Sequence, residues 1–500
     1  MSATTVDDRA RYRAHPSVLD ALKNPRLLTR EVLAGLVVGL ALIPEAIAFS
    51  VIAGVDPKVG LFSSFIMAVS IAFLGGRPAM VTAATGAVAL VIAPVAPTFG
   101  LDYFIATVIL AGIFQVILGV LGVAKLMRFI PRSVMVGFVN ALAIFVFSSQ
   151  FPQLIDVPWL VYPLVALGIV VMLVMPKLTK IVPAPLVSVI IVTGVVLAFG
   201  ITVPTVGDQG ELPRSLPSLF IPNVPLTWET FTIIAPFALG VALVGLMESL
   251  LTAKLVDEIT DTHSNKTRES WGQGVANVLS GMFGGMGGCA VIGQTMINVK
   301  ASGARTRIST FCAGLFLFVL VVVFGDFVGT IPMAALVAVM IMVAIGAFDW
   351  HSVRPSTLKR MPKSETSVMV ATVVLVLITH NLAVGVVGGV LVASVLFVRR
   401  VAHFVSIRRV LGPAGDVVRY VVEGELFFAS SNDLTTLFSY SSDPSRVVVD
   451  LSGSHVWDAS TVAALDAIET KYASLGKTVE IVGMNDSSGT MHGRLTGGFE

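Results

Sequence analysis

Apolar segments close to the thickness of a bilayer recur with little interruption from residue 31 to residue 401, and this excludes most architectures at once. About 20 apolar residues in helical form cross a hydrocarbon core. Backbone polar groups in lipid must be satisfied within the segment, so the spanning elements are helices. The clearest segments are 32–50, 61–74, 103–123, 133–149, 160–175, 183–199, 231–251, 308–324, 367–379 and 382–398. Shorter stretches broken by glycine or proline raise the expected total to about fourteen. Charged residues are 13% of the chain, against about 25% in soluble domains, so most of it belongs in lipid.

Two short stretches stand out within this apolar run. One is Thr82-Ala83-Ala84-Thr85-Gly86-Ala87; the other runs from Gly284-Gly285-Met286-Gly287-Gly288-Cys289 through Ala290-Val291-Ile292-Gly293-Gln294-Thr295. Each leads from glycine or hydroxyl residues into a short apolar helix. A helix that starts inside a bilayer presents backbone N–H groups and the positive end of its dipole, both of which attract anions. The stretches lie in different halves, and each follows a similar segment: Gly39-Leu40-Ala41-Leu42-Ile43-Pro44-Glu45 in the first and Gly240-Val241-Ala242-Leu243-Val244-Gly245-Leu246-Met247-Glu248 in the second. Interrupted helices in matching positions indicate an inverted repeat with a midplane site.

Charge sets the orientation. Lys and Arg cluster at Arg9, Arg11, Arg13, Lys23, Arg26 and Arg30, then at Arg77, Lys125, Arg128, Arg132, Lys177 and Lys180. They continue at Lys254, Lys266, Arg268, Lys300, Arg305 and Arg307, then at Arg354, Lys359, Arg360, Lys363, Arg399 and Arg400. A fourteen-span layout puts all of these on one side and leaves Lys58 and Arg214 opposite, with Asp56, Asp102, Asp156, Asp208, Glu211 and Asp326. The positive-inside rule then makes both termini cytoplasmic, with a multi-pass chain in the cell (inner) membrane. Segment 1–30 is polar and lacks the apolar core of a signal peptide. The net charge of +2 gives no nucleic-acid footprint. Cys289 and Cys312, the two cysteines, form no disulfide or metal framework.

The composition changes after Arg409. Segments 417–423, 425–428, 447–451 and 477–483 read as strands. Segment 461–473 reads as a helix with Val462, Leu465, Ile468 and Tyr472 on one face and Ser460 as N-cap. A small cytoplasmic α/β module follows, over 412–485. The Gly/Ser-rich tail 486–500 reads as disordered.

These residues resemble the sulfate permease (SulP) anion transporters, whose members join a membrane domain to a C-terminal STAS domain. The resemblance is carried by Leu40-Ala41-Leu42-Ile43-Pro44-Glu45-Ala46-Ile47-Ala48-Phe49-Ser50, Ala53-Gly54-Val55, Gly60-Leu61-Phe62 and Phe73-Leu74-Gly75-Gly76-Arg77. Thr85-Gly86-Ala87 and Ser302-Gly303-Ala304-Arg305-Thr306 add to it, and in the tail so do Val449-Asp450-Leu451-Ser452-Gly453 and Asp458-Ala459-Ser460-Thr461. It implies an α-helical multi-span fold of fourteen transmembrane segments in two inverted seven-segment repeats, divided into core and gate domains over 31–405. The third and tenth segments would be half-helices meeting around the anion. The first and eighth would bring Pro44, Glu45, Phe49 and Glu248 to it. A homodimer is also implied.

On this reading Thr85, Gly86, Ala87, Ile292, Gln294, Thr295 and Phe49 bind substrate, while small residues at such positions also serve close helix packing and Phe49 serves equally as core. Some relatives carry a basic residue near the position of Thr295; this chain has none there, so helix dipoles must balance the anion. Glu45 and Glu248 are acids inside apolar spans, which marks them for ion coupling; the competing reading is a structural carboxylate, bonded for Glu248 to Ser249 or Thr252. His380 reads as an outward span end. Asp257, Glu258, Asp261 and His263, with Lys266 and Arg268, read as a solvated loop. Ser460 corresponds to a region phosphorylated in related regulatory proteins.

The resulting expectation is secondary-active transport of a small anion (sulfate, bicarbonate or a dicarboxylate) by H⁺-coupled symport. The alternatives are Na⁺-coupled bicarbonate transport, an uncoupled channel or exchanger, and a sensor. Cofactors other than co-transported H⁺ or Na⁺ are not expected; the partners are the anion, membrane lipid and a second copy. No phosphate loop or catalytic spacing points to an enzyme.

Overall fold

The computed structural model describes residues 16–122, 125, 130–178, 183–379, 381–402 and 405–496. Arg9, Arg11, Arg13, Arg128, Lys180 and His380 lie outside the described residues. The chain divides into two compact units, Met1–Val390 and Leu391–Glu500.

The apolar part of the chain holds α1 (Pro25–Ile52), α2 (Pro57–Leu74), α3 (Gly86–Ile92), α4 (Leu101–Val120), α5 (Arg132–Ser148), α6 (Val161–Leu178) and α7 (Ala184–Phe199) in its first half. The second half holds α8 (Trp228–Thr260), α9 (Lys266–Met282), α10 (Ile292–Met296), α11 (Arg307–Val323), α12 (Met333–Ala347), α13 (Lys363–Thr379) and α14 (Leu382–Ala402). Among the described residues seven helices are long and apolar enough to cross a bilayer alone, and shorter apolar helices cover Gly86–Phe99, Ala184–Phe199, Arg307–Val323 and Met333–Ala347. The first helix starts earlier than residue 31. Asn24 Oδ1 accepts from the backbone N–H of Arg26 at 3.1 Å and of Leu27 at 3.4 Å, and Pro25 follows at the first helical position, where its missing N–H costs nothing.

The halves pack as exchanged copies. Helix α1 lies on α11 as α8 lies on α4; α2 meets α11 as α9 meets α4; and α6 meets α12 as α13 meets α5. Glycine sets the closest of these approaches. A Cβ on Gly112 would stand 2.7 Å from the Gly274 carbonyl oxygen, and one on Gly274 2.6 Å from that of Gly112, so α4 and α9 touch backbone to backbone, as small residues permit in lipid.

The second unit contains a four-stranded sheet, β3 (Ser406–Leu411), β4 (Val417–Leu426), β5 (Arg446–Val456) and β6 (Thr478–Val482) in sequential order; the first pairing is antiparallel and the other two parallel. Strand β3 occupies residues that the sequence reading left between its domains. The two strands expected at 417–423 and 425–428 are one, ending at Leu426: pairing with β5 shifts register between Val421 and Glu423 and then continues through Gly424, at φ +118°, to Leu426. Helices α15 (Phe428–Leu434), α16 (Ala459–Ser474) and α17 (Asp486–Leu495) complete the unit.

Two expectations fail here. Ser460 is not the N-cap of α16: Asp458, extended at φ −147°, accepts from the Thr461 N–H at 3.1 Å, and Ser460 is exposed in the first turn. The tail is folded as far as Leu495. Asn485 caps α17, Ser488 Oγ accepts from the Val456 N–H at 2.9 Å, and Met491 and Leu495 pack on the apolar core of the sheet. Residues 497–500 lie outside the described residues.

A buried acid anchors this unit. The Asp443 side chain is fully buried and accepts from the hydroxyls of Tyr420 at 2.7 Å and Tyr472 at 2.6 Å and from Arg409 Nε at 2.9 Å. Burial pushes its carboxyl up, but the hydrogen bonds from Tyr472, Tyr420 and Arg409 outweigh it and hold it below the usual carboxylate value. A carboxyl lowered on folding contributes stability above its unfolded value near 3.9 and loses it as pH falls through the lower folded value. Asp443→Asn is therefore expected to destabilise this unit by about 2 kcal/mol at pH 7, with the difference from wild type closing only below about pH 4. Calorimetric melting of the full chain across this pH range checks it.

Candidate functional site

Two extended dipeptides bring the broken helices together. β1 (Thr82–Ala83) and β2 (Cys289–Ala290) pair antiparallel in the membrane unit, Thr82 opposite Ala290 and Ala83 opposite Cys289. Helix α3 leaves β1 and α10 leaves β2, so their starts are juxtaposed. The ribbon is held by buried polar side chains. Ser64 Oγ accepts from the Ala84 N–H at 3.2 Å, and in the other half Ser249 Oγ accepts from the Ala290 N–H at 3.0 Å. Asn277 donates to the Gly288 carbonyl at 3.0 Å and accepts its N–H at 2.8 Å, while Gln273 donates to Thr82 Oγ1 at 2.8 Å. Gln273, Asn277 and Ser280 recur at helical spacing on α9 and all are fully buried. That polar stripe is the signal in the sequence that marks these residues.

Thr85 caps α3, its Oγ1 accepting from the Val88 N–H at 3.4 Å. Gly86 follows beneath Phe49: a Cβ there would lie 2.9 Å from the Phe49 ring and 3.2 Å from Val146. Ala87 is buried. A cavity of about 250 Å³ flanks this part of α1, lined by Ala48, Val51, Leu90, Gln150, Met333 and Leu336. On the other side Ile292 is half-buried, and Gly293 is exposed with open space around its Cα. Gln294 is buried. Thr295 Oγ1 accepts from the Val81 N–H at 3.0 Å, so its hydroxyl ties α10 to the residue just before β1. Lys300 is exposed at the far end of the wider helical turn Ile297–Ala301, and no cation stands between the helix starts among the described residues.

Glu45 and Glu248 are both buried, and neither belongs to an ion pair among the described residues. Glu45 is met by the Gln294 side chain. Glu248 is met by the Cys289 thiol, Sγ to Oε2 at 2.9 Å, and not by the partners expected from sequence: Ser249 serves Ala290, and Thr252 Oγ1 donates to the Glu248 main-chain oxygen at 2.7 Å. Two other buried acids do structural work. Glu31 accepts from the N–H groups of Arg305 at 2.7 Å and Thr306 at 3.1 Å, and Glu269 from those of Gly76 at 2.7 Å and Arg77 at 2.9 Å. Those carboxylates tie down backbone N–H groups between the two halves; among the described residues Glu45 and Glu248 have no backbone donors of that kind.

Asp257 is not part of a solvated loop. It pairs at 2.8 Å with Arg77, which is almost wholly buried and also donates to Thr262 at 2.8 Å and Thr260 at 2.7 Å, and it bonds Lys266 as well. The bonds from Arg77 tie the two halves together there.

Fold and site define a membrane protein of the sulfate permease family, and the chain belongs to it: the Sulfate permease family model matches residues 28–163 and 155–372, and a STAS domain matches 413–491. The chain is 50% identical over 463 residues to the putative sulfate transporter YbaR of Bacillus subtilis, covering 92% of this chain and 95% of that one. It is 28% identical over 456 residues to the bicarbonate transporter BicA of a Picosynechococcus species, covering 83% and 78%. In fold it is similar to the murine Slc26a9 anion transporter in the inward-facing state, with a TM-score of 0.82 at 17% identity over 99% and 92% of the chains. The transmembrane domain of a cyanobacterium bicarbonate transporter BicA superposes with a TM-score of 0.65 at 24% identity over 72% and 98%.

Proposed function

We propose that the chain carries a small oxyanion or carboxylate across the cell membrane by secondary-active transport, with a proton taken up at Glu248. The reading rests on one observation above others: two helix starts face each other beside two buried carboxylates that have no cationic partner among the described residues. The helix ends offer N–H groups and partial positive charge, so an anion is favoured between Thr85, Gly86 and Ala87 on one side and Ile292 and Gln294 on the other. With no Lys or Arg at this point, a second negative charge at Glu248 opposes the anion, and proton uptake removes that opposition. Phe49 stands over the first helix start as a wall. The relatives named for sulfate and for bicarbonate support the substrate class. Charge placement supports cytoplasmic termini, and the family resemblance supports a homodimer.

Uptake of radiolabelled sulfate, bicarbonate and fumarate into proteoliposomes tests this, with membrane potential clamped at zero and an inward proton gradient present or absent. One anion is expected to accumulate about tenfold per pH unit for each proton carried. Uptake that ignores the proton gradient but follows a Na⁺ gradient would replace proton coupling with sodium coupling.

A further inference from the structure

We propose that Cys289 is a positioning residue, one that relays the protonation state of Glu248 to the Thr85 hydroxyl and so couples proton binding to anion binding. The inference rests on the proton-coupled reading above and adds the device by which it operates.

Three buried side chains form an unbroken chain between the carboxylate and the start of α3. Glu248 Oε2 lies 2.9 Å from Cys289 Sγ, and Cys289 Sγ lies 3.0 Å from Thr85 Oγ1, where either atom can donate. Thr85 Oγ1 also accepts from the Val88 N–H. Two arrangements satisfy these donors and acceptors, one for each state of Glu248. With Glu248 ionised, the carboxylate only accepts. Cys289 S–H then points to Glu248, the Thr85 O–H points to Sγ, and the hydroxyl has no proton left for an anion. With Glu248 protonated, its O–H donates to Sγ and Cys289 S–H turns to Thr85 Oγ1. The two acceptor positions of that oxygen are then filled by Val88 N–H and Cys289 S–H, so the Thr85 O–H is released toward the anion. One proton enters at Glu248 and no covalent bond changes.

Other titratable groups on the elements around Glu248 do not take part. Helix α8 packs against α3, α4, α9, α10 and β2. Asp102 and Tyr103 lie at the outer end of α4; Lys266, Arg268 and Glu269 lie at the start of α9, with Glu269 bound to Gly76 and Arg77; α3 and α10 carry none. Along α8 itself, Glu229, Lys254, Asp257 and Glu258 stand away from Glu248 in sequence, and Asp257 is held by Arg77 and Lys266. Glu45 faces Gln294. Cys289 is the titratable group that touches the carboxylate.

Because coupling is reciprocal, wild-type KM for the transported anion is expected to fall as pH falls, on the order of tenfold for one charge-assisted hydrogen bond. The test is the pH profile of KM in proteoliposomes, for whichever of sulfate, bicarbonate and fumarate is transported, in Cys289→Ala, Cys289→Ser, Thr85→Val and Thr85→Ser. Cys289→Ala is expected to flatten the profile toward the low-pH wild-type value, leaving only the slope that charge repulsion between Glu248 and the anion supplies, since the Thr85 proton has no competing acceptor. Thr85→Val is expected to flatten it near the high-pH value. Serine at either position keeps a hydroxyl that both donates and accepts, and retains the slope. Loss of packing alone cannot send the two flat profiles to opposite limits. If Cys289→Ala retains the wild-type slope, or Cys289→Ser is as flat as Cys289→Ala, the relay is overturned while proton coupling stands. Should Cys289→Ala not fold, the Cys289→Ser profile decides alone: a flat one refutes the relay. A wild-type protein with neither pH-dependent KM nor proton-driven accumulation removes the coupling reading itself, and the relay with it.

Discussion

Glu248→Gln is expected to abolish proton-driven accumulation while leaving anion exchange intact. The substitution preserves shape and removes the titrating group. With membrane potential clamped, the roughly tenfold accumulation per pH unit expected of the wild type falls to the passive ratio of one, whereas counterflow of preloaded anion continues because exchange needs no net proton movement. A glutamine amide that turns its NH₂ to Cys289 Sγ acts in the sense of the protonated acid, so KM should lose its pH dependence and stay near its acidic value. Parallel assays of gradient-driven uptake and counterflow separate this from a damaged carrier, in which both fall. A mutant that accumulates anion as wild type does makes Glu248 a structural carboxylate, like Glu31 and Glu269.

Gly288→Ala is expected to abolish both modes together. A Cβ at residue 288 would lie 1.9 Å from the Ala83 carbonyl oxygen and 2.6 Å from its carbon, and these atoms are backbone, not flexible side chain. Neither strand can withdraw. Gly288 is held through both backbone groups by Asn277, and Ala83 is paired with Cys289. Overpacking typically costs about 1–3 kcal/mol, and a clash between two fixed backbones belongs at the upper end of that range. Uptake should fall to background, and thermal unfolding in detergent should shift down. Gly194→Ala is the control: a Cβ on Gly194 meets nothing within 4 Å, and alanine is the better helix former, so this variant should match or exceed wild-type stability.

Where the sequence was read correctly, the information was local. Spans follow from runs of apolar residues, and the start of α3 from a threonine followed by glycine, a cap chemistry complete within four residues. Where two local answers competed, the chain alone did not choose. Asp458 and Ser460 are both good N-caps, and only the extended backbone at Asp458 selects it. The composition of 486–496 suits disorder, yet Ser488, Met491 and Leu495 find partners on the sheet. Gln273, Asn277 and Ser280 look out of place on a membrane helix until the β1–β2 ribbon beside them supplies donors and acceptors.

By itself the sequence determined a polytopic helical protein of this family, with two interrupted helices and two acids set within apolar spans, because hydropathy, charge asymmetry and capping are properties of neighbouring residues. The tertiary structure alone decided which group each acid addresses. Cys289 reaches Glu248 across 41 residues and Thr85 across 204, and Glu45 crosses between the halves to Gln294. A buried donor must satisfy whichever acceptor the packing places beside it, and at those separations along the chain only the packing of the two halves sets that neighbour.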